Sequence, residues 1–109
     1  MDVVVWKSFS SLKSEIKYLK AYISKEDSKK FKDWIQENKT VKMNEMYIGL
    51  DNHENVQGWD NPKPTKSDFY GDIKTQTDDY KFMVSFLIKD HNNKKDVLYI
   101  EAFDSFDIP

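Results

Sequence analysis

The chain has 109 residues, 39% hydrophobic and 15% aromatic, with 17 basic and 19 acidic residues and a formal net charge of −2. That length fits one α+β domain over residues 1–109, and the balance of apolar to charged residues excludes a disordered or fibrous chain. With no cysteine, disulfides, thiolate metal sites and cysteine nucleophiles are excluded as well.

Every basic residue is lysine, which removes the guanidinium fork used on guanine and phosphate and reads as codon bias of an AT-rich genome. Residues 1–50 carry 10 Lys against 7 acids, whereas residues 51–109 carry 7 Lys against 12 acids. A nucleic-acid binder normally shows a basic excess, so direct nucleic-acid binding is not expected. The apolar run Val3-Val4-Val5-Trp6 is too short for a signal-peptide core or a membrane span. The expected location is therefore the cytoplasm of a bacterial or infected host cell.

Residues 2–7 are β-branched and aromatic and predict a short strand. Leu12, Ile16, Leu19 and Ile23 recur at spacings of 4, 3 and 4, which predicts a first helix. Ser24 offers a cap for a second helix with Phe31, Trp34 and Ile35 on its apolar face and Asn38 as its stop. Val41 to Leu50 has strand character, and residues 51–67, with their asparagines and prolines, read as a loop. A short strand is expected near Phe69–Thr75. In Tyr80–Lys89 one face, Tyr80, Phe82, Val84, Phe86 and Ile88, is apolar throughout and predicts a strand, Asp90–Lys95 is a turn, and Asp96–Phe103 returns as the partner strand. The fold expected from these elements is two helices in the N-terminal half, packed on one face of a mostly antiparallel sheet of about four to five strands.

Catalytic signatures are thin. Tyr47-Ile48-Gly49 matches half of a GIY-YIG nuclease motif, but the other half and the catalytic arginine are missing. Asp72-Ile73-Lys74 and Asp79-Tyr80-Lys81 match the tail of a PD-(D/E)xK site without a properly spaced upstream acid. Asp51, His53, Glu54 and Asp60, with His91 further on, are the densest set of potential metal ligands, and Asp51, His53 and Glu54 with His91 would serve a metal-dependent hydrolase. Their spacing departs from the EF-hand frame, and they read as a solvated loop. No catalytic residues, cofactor or metal are therefore assigned.

The features that favour binding are Trp59 on a proline-bounded loop and the C-terminal run in which Glu101, Asp104 and Asp107 interleave with Phe103 and Phe106. With Asp96 these residues predict an acidic, aromatic surface for another protein, such as a nucleic-acid-processing enzyme. The expected function is a small intracellular inhibitor of the immunity, antitoxin or phage anti-defence type, acting as a monomer or homodimer. A phage structural or assembly protein is the third reading.

Overall fold

The computed structural model describes residues 1–38, 40–45 and 50–106. In chain order the elements are β1 (Asp2–Ser10), β2 (Ser14–Ser24), α1 (Lys25–Glu37), β3 (Val41–Met43), β4 (Phe69–Gln76), β5 (Tyr80–Asp90) and β6 (Lys95–Phe106). They form a single six-stranded antiparallel sheet in the order β1-β2-β6-β5-β4-β3. The tripeptide Tyr47-Ile48-Gly49 and Asp107 lie outside the described residues.

This corrects the expected fold: the described residues hold one helix and six strands. Residues 14–24, expected to be helical, are a central strand with neighbours on both sides. Its register explains the misreading. Ile16, Tyr18 and Tyr22 pack against one core, while Leu19, Ala21 and Ile23 line the other. A strand covered on both faces is apolar on both faces, so its hydrophobic residues lose the period of two. Tertiary burial, together with the β-preference of Ile and Tyr, then decides the conformation.

Helix α1 forms where expected. The Ser24 side chain accepts the Asp27 backbone N–H at 3.0 Å, and the Asn38 backbone N–H reaches the Ile35 carbonyl at 3.1 Å. The helix buries Ile35 and lays Phe31 on one face of the sheet, over Ala21, Ile23, Ile88 and Leu98. Phe31 meets Phe86 edge-on, with ring centroids 5.8 Å apart.

The opposite face is covered by the segment 50–64. Leu50, Val56 and Trp59 close over Val5, Tyr18, Leu87, Val97 and Tyr99. Asparagines order this loop. Asn52 accepts from the Val56 N–H and donates to the Val56 carbonyl, and the Asn52 N–H reaches the Asn61 side chain at 2.7 Å. Asn55, Gly58 and Asn61 take positive φ values of 53°, 85° and 48°, which asparagine and glycine tolerate best. One sheet thus carries two cores, one under the helix and one under the loop.

Gly71 of β4 is set by a close approach rather than by its φ. A Cβ there would stand 2.6 Å from the Lys42 carbonyl oxygen and 3.0 Å from Phe86 Cζ, so a side chain would force the short edge strand β3 away.

Candidate functional site

The residues predicted to form one docking surface are divided by the pleat of β6. Asp96, Asp104 and Phe106 point to the helix side, whereas Glu101 and Phe103 point to the loop side with Trp59. Three of them are also enclosed. Trp59 is buried in the loop-side core, where its indole N–H donates to the Leu50 carbonyl at 2.8 Å. Its ring packs edge-on between Tyr18 and Tyr99, with centroids 5.2 and 5.6 Å away. Asp96 is buried and ion-paired with Lys25, which also holds Asp90. Burial alone would raise the Asp96 pKa, but the hydrogen bond and charge of Lys25 hold the carboxyl below its ordinary range.

Glu101 is the least expected of them. Its side chain is 0% exposed, and neither carboxyl oxygen has a hydrogen-bond partner. Register places it in a polar rung that crosses all six strands: Lys7, Tyr18, Glu101, Ser85, Asp72 and Lys42. Within the rung, Ser85 Oγ donates to Asp72 Oδ1 at 2.6 Å. Above it, His53 Nε2 of the loop stands 4.0 Å from Glu101 Oε2. Burial pushes the Glu101 carboxyl up to about 8. The neighbouring Tyr18 hydroxyl lowers it somewhat, although the two do not meet in hydrogen-bond geometry, and Asp51 adds to the rise. The Tyr18 hydroxyl is in turn pushed up to about 12, first by burial and then by Glu101. At neutral pH Glu101 is thus a protonated acid inside the fold, sealed from solutes by the loop. No motif signals this; only the register reveals it.

The metal-ligand candidates spread apart. Asp51 pairs with Lys63 at 3.1 Å, while His91 stacks beside Tyr22 on a distant turn. Among the described residues no three His, Asp or Glu side chains converge as a metal site. Among the same residues no helix is long and apolar enough to cross a membrane.

What remains open on the surface is the far half of the helix side. Helix α1, with 13 residues, spans about 20 Å, while β6, with 12, spans about 40 Å, so the helix can cover at most about half the length of the central strands. Beyond it lies a groove of about 460 Å³ lined by Phe31, Trp34, Ile73, Phe82, Val84 and Ile100. Trp34 stands 55% exposed on its wall. Tyr80 and Phe82 stack at the outer end with centroids 6.5 Å apart, Phe106 lies 5.2 Å from Tyr80, and the Tyr80 hydroxyl donates to Asp104 at 3.1 Å. The surroundings carry more acid than base. Asp104 faces Glu15 across the ladder, although Glu15 is paired with Lys17 at 3.5 Å; Asp78 and Asp79 occupy the turn before Tyr80, and the last turn of α1 carries no basic residue. The negative end of the helix dipole adds to that field.

No family model, curated protein or solved structure matches this chain. The geometry of this groove therefore carries the functional reading.

Proposed function

We propose that the chain is a small protein-binding inhibitor that covers a partner enzyme with the acid-flanked aromatic groove beyond α1. One observation carries this reading: a sheet face that its own helix leaves half uncovered, aromatic inside and acidic around. An apolar concavity with an exposed tryptophan on its wall suits an anchoring side chain of another protein. The acids around it favour a partner of basic surface, such as an enzyme that handles nucleic acid, by steering encounter and fixing orientation. Asp104 and Phe106 belong to this surface.

The test couples capture to function. A protein retained by the wild-type chain, lost with Phe82→Ser and weakened by Asp104→Lys at low salt, is purified and assayed. Inhibition of its activity at one-to-one stoichiometry supports the reading, provided both variants keep the wild-type circular dichroism. Capture that both variants leave unchanged, or a captured enzyme that stays fully active in the complex, sinks it.

A further inference from the structure

The N-terminal edge of the sheet carries a second surface, independent of the groove. Among the described residues strand β1 pairs only with β2, which leaves its outer backbone groups without a strand partner. Of the nine large hydrophobic side chains left exposed among the described residues, five lie on residues 1–9: Met1, Val3, Val4, Trp6 and Phe9. Val3 and Trp6 are 52% and 57% exposed and lie on the helix side, opposite Ala21 and Leu19. Next to them an apolar notch of about 310 Å³ opens between Met1, Leu19, Ile23, Phe31 and Leu98.

Strand β1 is also irregular. Its register against β2 steps from Val3↔Ala21 to Val5↔Lys20, which leaves Val4 as an extra, bulged residue. A bulge protects an edge from a regular strand, because pairing loses its face beyond the extra residue. A second copy of β1 meets no such obstacle. If two copies run antiparallel about a two-fold axis between Val4 and Val5, each contributes one extra residue at the same level and the registers match on both sides. In that alignment Asp2 lies opposite Lys7, Val3 opposite Trp6, and Val4 opposite Val5. The faces agree as well: Asp2 and Lys7 are both on the loop side, and Val3 and Trp6 are both on the helix side. Neither Asp2 nor Lys7 forms an ion pair within the described chain.

We infer that β1 is a homodimer interface in which two copies pair edge to edge across the Val4 bulge. Each Asp2 meets the other copy's Lys7, and each Trp6 packs over the other copy's Val3 toward the notch beside Met1 and Leu19. Such an isologous contact closes on itself and consumes the exposed edge, so it stops at two copies. A dozen strands then form one continuous sheet.

Charge exchange tests the register without touching the core. Sedimentation velocity over a concentration series gives the dimer dissociation constant for the wild type, Asp2→Lys, Lys7→Asp and the double variant, with circular dichroism as the folding control. Each single exchange places like charges opposite each other twice per dimer and raises the dissociation constant at least tenfold. The double exchange restores pairing to near the wild-type value, because the two-fold turns both pairs round together. Trp6→Ala weakens the dimer in all four backgrounds. A wild-type chain that stays monomeric up to about 100 µM, the range of weak specific contacts, overturns the inference. So does a dimer indifferent to both single exchanges, or one the double variant fails to restore. A chain that is monomeric alone but captures the strand of a different protein overturns it as well.

Discussion

Glu101 and Tyr18 stand opposite each other across the β2–β6 ladder, both fully buried, and neither side-chain oxygen group has a hydrogen-bond partner. A pair of unsatisfied polar groups in the centre of a sheet is costly to the fold. That cost depends on pH, because one of the two titrates near neutrality.

The sign follows from where the proton sits. Between the ordinary carboxyl value of 4.5 and the native value of about 8, the native chain keeps the Glu101 proton while the unfolded chain has released it. Stability therefore falls as pH rises through this window and levels off above it, by a total on the order of 5 kcal/mol. Glu101→Gln should remove this slope, matching the wild type near pH 5 and exceeding it at pH 8. Urea unfolding at four pH values between these limits checks it. A wild-type stability that is flat or rising across the window refutes it.

Asp96 acts in the opposite sense. Its native pKa lies below 3.8 despite burial, because Lys25 holds the charged form. Its contribution is present above that value and is lost as pH falls through the native one. Asp96→Asn should lower stability at pH 6 and shrink the loss on acidification between pH 4 and 2. Acid titration followed by circular dichroism measures both. With Glu101, this places the most favourable balance of the two carboxyls near pH 4 to 5.

Trp59 separates a hydrogen bond from packing. Trp59→Phe keeps most of the ring between Tyr18 and Tyr99 but leaves the buried Leu50 carbonyl without its donor, a cost of about 1–3 kcal/mol. Trp59→Ala also opens a cavity beneath the loop and should cost about 3–5 kcal/mol. Chemical denaturation of the two variants tests the ordering. Equal effects would show that packing contributes nothing beyond the hydrogen bond.

Gly71→Ala should destabilise by about 1–3 kcal/mol through overpacking against the Lys42 carbonyl and Phe86. Hydrogen exchange should localise the damage, with faster exchange in β3 and an unchanged rate in β2. Uniform loss of protection would instead mean that β3 and the central strands open together.

Legibility from sequence tracked how far each element depends on distant neighbours. The β5–β6 hairpin is local and alternating, and its strands lie within three residues of the expected ends. Helix α1 carried its own caps at Ser24 and Asn38. Strand β2 reads as a helix because its apolar residues serve two cores; its pairing with β1 is local, but the partner that makes it a central strand, β6, lies about eighty residues away. The same distance hid Glu101. Its acidic neighbours in sequence suggested a solvated surface, whereas its neighbours in space are Tyr18 and Ser85. The 50–64 loop looked structureless because its order comes from Asn52, Asn55 and Asn61 bonding locally, a chemistry that resembles solvation in one dimension.

The placement of β6 between β2 and β5 also sets a timetable. Ser14 pairs with Ser105, and the β1–β2 hairpin has no other strand to join until residues 95–106 exist. On a ribosome the two halves of the sheet therefore emerge separately, each with a raw edge, and fuse only when the last strand slides between them. Closure over so long a span is slow compared with hairpin formation. During that interval β2, rather than β1, is the surface most in need of a chaperone.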